Sequence, residues 1–284
     1  MTRVYKKDGR KILLVDVDGT LVDYEGKLPA SAVTAVKTAQ RNGHRVYMCT
    51  GRSEGEIYDN IRALELDGMI GGNGAYVRDG NDIILHLHLS KEQCAHIVDW
   101  CHARGLEFYL ETNHGLFASE GFEKAGTPVL QEYARRRGED TGISVHTVFP
   151  GMIFGGDLYR DDVNKVSFIL SSMKDHEDSV TEFPDLKPGV WGGAGETPLF
   201  GDLGVKNISK QTAVRCLLDH LGASKEDAVA FGDAAVDIPM FEACGYAVAM
   251  GSGGEECRAT ADYITDPVDQ DGLYDAFMHL GLLD

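Results

Sequence analysis

The 284-residue sequence contains no apolar run that approaches the roughly 20 residues needed to cross a bilayer. Its opening stretch has no apolar core and no small-residue cleavage site, so it does not read as a signal peptide. The cysteines (Cys49, Cys94, Cys101, Cys216, Cys244 and Cys257) are scattered, with no CxxC pair. In a chain this long, that argues against a disulfide framework and for reduced thiols in a core. Basic residues are scarce: 27 Lys and Arg stand against 45 Asp and Glu, a formal net charge of -18. Such a surface repels nucleic acid and anionic membranes, so neither is expected as a partner. No internal repeat or low-complexity segment is present. Together these absences describe a globular protein expected in the cytoplasm. Its length suits one large domain or two ordinary ones, and its 43% hydrophobic and 25% charged residues are usual for such a chain.

The first third alternates strand and helix. Residues 11–15 form an apolar run ending in a turn, as a strand buried on both faces would. Ala32, Val33, Ala35, Val36 and Ala39 recur at helical spacing until Gly43. Residues 45–50 read as a second strand, and Met69 with Ile70 as a third. Ser53 and Glu56 have the spacing of a capping box, followed by Ile57, Ile61 and Leu64 on one helical face. The last third repeats the alternation, with helices at 210–221 and 236–243 and strands at 227–231 and 246–250. The two ends read as halves of one α/β fold, a doubly wound parallel sheet of Rossmann-like type.

The middle differs. Residues 83–89 alternate apolar side chains with His86 and His88, 106–118 read as a hairpin turning at 112–115, and 166–170 form another apolar strand. Helices between them, such as 92–103, are amphipathic. This predicts an α+β domain at 84–188, inserted into a core made of 1–83 and 189–284.

Four segments carry chemistry. Asp16-Val17-Asp18-Gly19-Thr20 lies at the carboxyl end of the first strand, where ligands bind in open α/β sheets. One carboxylate and the neighbouring backbone carbonyl there suit a hard cation, which takes oxygen ligands. Thr50-Gly51-Arg52 ends the second strand, where a hydroxyl and unpaired N–H groups suit phosphate oxygens. Lys210 opens a helix after Asn207-Ile208-Ser209. Asp233 and Asp237 follow the strand ending at Phe231. Taken singly, each segment has a plainer reading: Asp-Gly as turn chemistry, Thr50 as a helix cap, Lys210 as a solvated helix end.

In their order, the four segments resemble the haloacid dehalogenase superfamily, and within it the Cof-like phosphatases with a type IIB cap. Asn73-Gly74-Ala75 and Ala249-Met250-Gly251 add to the likeness, which covers nearly the whole chain. The resemblance implies a phosphatase acting on small phosphorylated metabolites, sugar phosphates or similar phosphomonoesters. It implies Asp16 as the nucleophile that becomes an aspartyl-phosphate and Asp18 as general acid and base. Thr50, Gly51, Arg52, Asn73 and Lys210 would bind the phosphoryl group. Asp16, the Asp18 carbonyl, Asp233 and Asp237 would hold Mg²⁺. Charge counting agrees. Four carboxylates against one lysine and one divalent cation leave a single negative charge, and none once Asp18 carries its proton. Without the cation the cleft is too negative for a phosphate dianion.

The sequence departs from the Cof-like pattern at Val236 and Ser252, where those proteins usually carry Asn. Valine cannot replace an amide's hydrogen bonds, so altered substrate affinity or orientation is expected while the chemistry survives. Two alternatives stand beside the phosphatase: a phosphosugar mutase of the same superfamily and, on account of Val236 and Ser252, a phosphometabolite-binding protein that has lost turnover. A phospho-acceptor receiver domain is disfavoured by the large insertion. Cys94, His96, Cys101 and His102 follow no zinc spacing and are expected to pack. Arg135, Arg136 and Arg137 read as a solvated helix end before Gly138. Trp191 before Gly192 and Gly193 either lines a cleft or packs as a hinge. Monomer and dimer both remain open.

Overall fold

The computed structural model describes Tyr5 and residues 9–137, 141–191 and 197–284. Within it the apolar run Ile12–Val15 forms β1, buried along its whole length. The remaining strands, in chain order, are β2 (Arg45–Cys49), β3 (Gly68–Gly71), β4 (Tyr76–Asp79), β5 (Asp82–His86), β6 (Phe108–Thr112) and β7 (Gly115–Ala118). They continue with β8 (Met152–Phe154), β9 (Val163–Ile169), β10 (Leu186–Val190), β11 (Phe200–Val205), β12 (Ala228–Gly232), β13 (Tyr246–Ala249) and β14 (Tyr263–Ile264).

The chain divides into two units. The first comprises the chain up to Arg52, Ile57–His86 and Ile208–Asp284. Its eight-stranded sheet has the order β14-β13-β12-β1-β2-β3-β4-β5. From β14 to β3 every pairing is parallel, and β4 and β5 extend it as antiparallel strands. The parallel strands need cover on both faces, and successive side chains of β1 point oppositely. Leu13 and Val15 pack with helices Ala30–Arg41 and Gly272–His279, through residues such as Ala35, Val36, Leu273 and Phe277. Ile12 and Leu14 pack with helices Lys210–Leu221 and Ile238–Ala243, through Val214, Leu217, Met240 and Phe241. The expected doubly wound α/β core is present. Its strand order turns back at β1, which lies between β12 and β2. At such a point the loops diverge and leave room for a ligand.

The second unit comprises Ser53–Glu56 and Leu87–Asn207. Its six-stranded sheet has the order β10-β11-β9-β6-β7-β8. Helix Lys91–Arg104 covers one face with Cys94, Ile97, Val98, Trp100 and Cys101. On the other, helix Phe122–Arg137 supplies Phe122, Leu130 and Tyr133. The two sequence limits differ from those observed. Residues 84–86 complete β5, which pairs with β4 in the first unit's sheet. The stretch 200–205 is β11, hydrogen-bonded to both β9 and β10. The return to the first unit therefore falls at Asn207/Ile208 instead of 188/189.

The capping box at Ser53 also resolves differently. The Ser53 N–H donates to Glu56 at 2.7 Å, but the helical turn spans only Glu54–Glu56, and a separate short helix covers Asp59–Arg62. At Gly55 a Cβ would lie 2.6 Å from the backbone of Thr112 and Gly115, so the turn is pressed against the β6–β7 hairpin at a distance that only glycine allows. Ile57, Ile61 and Leu64 are buried as expected.

Cys94 and Cys101 are buried, and His96 pairs with Glu182 at 2.8 Å on the surface. Arg135 and Arg136 both pair with Glu132 on their own helix. Trp191 packs against Phe200, with ring centroids 4.5 Å apart, and against Tyr133. Gly138, Gly192 and Gly193 lie outside the described residues. No helix among the described residues is long and apolar enough to cross a membrane.

Candidate active site

Three of the four motif segments sit at the carboxyl ends of adjacent strands of the first unit. Asp16 and Asp18 follow β1, Thr50 follows β2 and Asp233 follows β12. The fourth, Lys210, opens its helix directly after the capping residue Ser209, whose hydroxyl accepts from the Thr212 N–H at 3.1 Å. A lysine at a helix N-terminus opposes the helix dipole and needs carboxylates to hold it there. Two are supplied. The ammonium, 2% exposed, donates to Asp16 Oδ1 and to Asp237 Oδ1, each at 2.6 Å. Asp237 turns its other oxygen to the backbone N–H groups of Asp233 and Ala234, at 3.1 and 3.0 Å, which fixes the loop after β12.

Burial penalises every charge in this group. It pushes the Asp16 carboxyl well up from its ordinary range, with Lys210 pulling against it and Asp237 and Asp233 adding to it. For Lys210 burial opposes the charge, yet Asp16 and Asp237 hold the ammonium above its ordinary pKa, so it stays protonated. Asp233 is raised by burial, opposed by a hydrogen bond from Tyr24. Cys49 and Cys257, both buried, are pushed up to about 12 by burial, which leaves them neutral and unfit as nucleophiles near neutral pH.

Asp16, Asp233 and Asp237 each offer a carboxylate oxygen, all within 4.8 Å of one another and all three residues buried. Hard oxygen donors grouped this closely around one lysine fit a divalent cation of the Mg²⁺ type, since three such carboxylates exceed the charge that one ammonium offsets. The carboxylate of Asp18 is not in the group. Arg52 takes it in a fork, Nε to Oδ2 at 2.8 Å and Nη2 to Oδ1 at 2.6 Å. The guanidinium also lies over the Tyr58 ring, 4.3 Å from its centroid. Burial works against its charge, and the Asp18 fork with Tyr58 more than offsets this, so its pKa is raised.

Thr50, Gly51 and Asn73 form a second small cluster. The Asn73 N–H donates to the Thr50 carbonyl at 3.1 Å, and the Thr50 hydroxyl accepts from the Arg52 N–H at 3.2 Å. The Asn73 side chain stands 3.2 Å from where a Gly51 Cβ would be. Asn73 has φ +56°, a left-handed conformation that Asn tolerates better than most residues. Val236 is 60% exposed and Ser252 is exposed, so the two departures from the Cof-like pattern lie at the surface.

Two neighbours of the acidic group had no role in the sequence reading. The Thr20 hydroxyl donates to Asp233 Oδ1 at 3.1 Å, and the Tyr24 hydroxyl donates to Asp233 Oδ2. Thr20 stood in the first motif and was legible there. Tyr24 follows no spacing rule. Gly19, with φ +86°, lies under both: a Cβ there would collide with the Asp233 carboxylate and stand 2.8 Å from the Tyr24 hydroxyl.

Residues 13–277 match the family described as haloacid dehalogenase-like hydrolases. The chain is 27% identical over 274 residues to YkrA of Bacillus subtilis (strain 168), which carries a phosphatase name, covering 96% of this chain and 98% of the relative. It is 25% identical over 272 residues to YcsE of the same organism, a 5-amino-6-(5-phospho-D-ribitylamino)uracil phosphatase, covering 95% of each. Among solved structures it is similar to the subclass IIB sugar phosphatase BT4131, with a TM-score of 0.72, 25% identity, and coverage of 96% of this chain and 99% of that one. The phosphatase BT1666 from Bacteroides thetaiotaomicron gives a TM-score of 0.72 at 27% identity, over 96% of each chain. The chain belongs to the haloacid dehalogenase-like hydrolases, among their Cof-like phosphatases.

Proposed function

We propose that this protein hydrolyses small phosphomonoesters, sugar phosphates foremost, in a Mg²⁺-dependent reaction that passes through an aspartyl-phosphate on Asp16. The observation that carries the reading is the Lys210 ammonium shared between Asp16 and Asp237, with Asp233 beside them. A buried carboxylate at a strand end, hydrogen-bonded to a fixed positive charge, supports Asp16 as the nucleophile. The substrate class is supported by two relatives, one named a sugar phosphatase and one named for a phosphoribityl compound.

Asp16, Asp233 and Asp237, with the Asp18 carbonyl, would hold Mg²⁺. Once bound, the cation offsets carboxylate charge and polarises the phosphoryl oxygens. An Asp16 oxygen attacks phosphorus, the ester P–O bond breaks, and the leaving oxygen takes its proton from Asp18. Water then attacks the aspartyl-phosphate and gives its proton to Asp18. The P–O bond to Asp16 breaks, which releases phosphate and restores the carboxylate. Throughout, Lys210 stays protonated and balances charge on Asp16. Thr50, the Gly51 N–H and Asn73 bind the transferring phosphoryl group. Arg52 links the two halves: when Asp18 turns to the leaving group it must part from the Arg52 fork, and the freed guanidinium suits phosphate oxygens.

The test is phosphate release from a panel of sugar phosphates with Mg²⁺, on wild type and Asp16→Asn. Release by the wild type alone supports the reading. Isomerised sugar phosphate in place of free phosphate replaces hydrolysis with a mutase reaction, and tight binding without either product leaves a binding protein.

A further inference from the structure

Asp233 is the one member of the acidic group that Lys210 does not hold by a hydrogen bond among the described residues. Its oxygens are met by two hydroxyls from one short segment, Thr20 on Oδ1 and Tyr24 on Oδ2. The two donors differ in setting. Thr20 is fully buried, whereas Tyr24 is 60% exposed and only its hydroxyl reaches inward to a residue that is itself 3% exposed. An exposed aromatic ring gains little from packing. Its hydroxyl is hydrogen-bonded to Asp233.

The loop that presents Tyr24 is built for the purpose by Asp23. The Asp23 carboxylate accepts from the N–H of Glu25 at 3.0 Å and of Lys27 at 2.8 Å. The Asp23 N–H donates to the Lys27 carbonyl at 3.1 Å, and Gly26 closes the turn with φ +80°. Side-chain turns of this kind fix a loop without help from a sheet. Gly19 clears the path between Tyr24 and Asp233, since any Cβ there would occupy the contact.

We propose that Tyr24 is a positioning residue of the cation site, which holds the Asp233 carboxylate in its binding orientation from an exposed turn. The inference rests on reading Asp16, Asp233 and Asp237 as a Mg²⁺ site. Partners that orient a metal's ligands change its affinity by roughly 10–100-fold when removed. Removal of this hydroxyl leaves Asp233 Oδ2 without its donor and lets the carboxylate rotate, so the cost falls on cation binding.

The experiment is calorimetric titration of Mg²⁺ into the full chain as wild type, Tyr24→Phe and Asp23→Ala, with the thermal midpoint of each measured in EDTA. The expected result is a Mg²⁺ Kd about 10–100-fold weaker in Tyr24→Phe, a smaller loss in Asp23→Ala, and a Tyr24→Phe midpoint in EDTA equal to the wild type's. The KM for a phosphomonoester at saturating Mg²⁺ stays unchanged, because the hydroxyl acts through Asp233 and not on the substrate. A Kd for Tyr24→Phe within twofold of the wild type's, or a tighter one, overturns the proposal; a tighter one makes the hydroxyl a competitor of the cation. Wild type that takes up no Mg²⁺ by calorimetry sinks the cation site itself and the role of Tyr24 with it, an outcome distinct from a wild type that binds and a variant that binds equally.

Discussion

Arg52 grips Asp18 through two hydrogen bonds, one to each carboxylate oxygen, of 2.8 and 2.6 Å, while the same guanidinium rests on Tyr58. A planar fork of this kind cannot be copied by an ammonium, which offers a point charge and no second parallel donor. In the sequence reading the two residues had separate tasks, Asp18 in proton transfer and Arg52 on phosphate. Under the proposed tasks the pairing couples them, since each task requires the fork to open.

Arg52→Lys is therefore expected to lower kcat and to raise KM for the phosphomonoester together. Asp18→Asn should lower kcat by about 10²–10⁴-fold, the usual contribution of a general acid, without raising KM, because it releases Arg52 from the charged fork. Steady-state kinetics at saturating Mg²⁺ separate the two. Equal KM values for wild type and Arg52→Lys would remove Arg52 from phosphate binding.

Removal of the buried lysine should cost stability as well as activity. Lys210→Met leaves Asp16 and Asp237 facing each other without a cation, and breaking a buried pair on one side costs about 3–5 kcal/mol. Urea unfolding in EDTA measures this. The double variant Lys210→Met with Asp237→Asn should recover part of the loss, because one of the two unpaired charges is gone. A double variant no more stable than the single one would show that the penalty comes from packing and not from charge.

Chelation should abolish turnover reversibly. With EDTA present the three carboxylates face Lys210 as their one ion-pair partner among the described residues, and a phosphate dianion meets an excess of negative charge. Restored release on adding Mg²⁺, and none on adding Na⁺ at equal ionic strength, is the expected outcome. Full turnover in EDTA would end the metal-dependent reading.

Acid should weaken the fold through His44. Its Nδ1 accepts from the Lys11 backbone N–H at 3.0 Å, and burial, with the Lys11 charge adding, lowers its pKa from 6.5. The unfolded chain takes up a proton more readily than the folded one, so stability rises with pH in this window. The contribution is complete above 6.5 and is lost as pH falls through the lowered folded value. Urea midpoints at about pH 7.5 and about pH 5.5 should differ more for wild type than for His44→Gln. The same difference in both proteins would assign the acid sensitivity elsewhere.

The sequence by itself determined the core architecture and the identity of the acidic site. Buried parallel strands demand continuous apolar runs, and a strand end that handles phosphate and a cation demands oxygen ligands and a lysine. The order of the motifs, and not any one residue, singled out Asp16, Asp18, Thr50, Lys210, Asp233 and Asp237 as candidates, and the structure brings Asp16, Lys210, Asp233 and Asp237 together. The sequence likewise located helices Ala30–Arg41, Lys210–Leu221 and Ile238–Ala243 beside β1, but not Gly272–His279, which completes the cover of one face. What only the tertiary structure decided was partnership. Tyr24 meets Asp233 across 209 positions of sequence, Arg52 turns to Asp18, and β11 joins β9 instead of the core sheet. No local pattern encodes such contacts: an exposed tyrosine in a turn and a short apolar strand look the same wherever they dock. Their partners are fixed by which loops the packed sheet brings side by side, and that is settled only when the whole chain has buried its apolar faces.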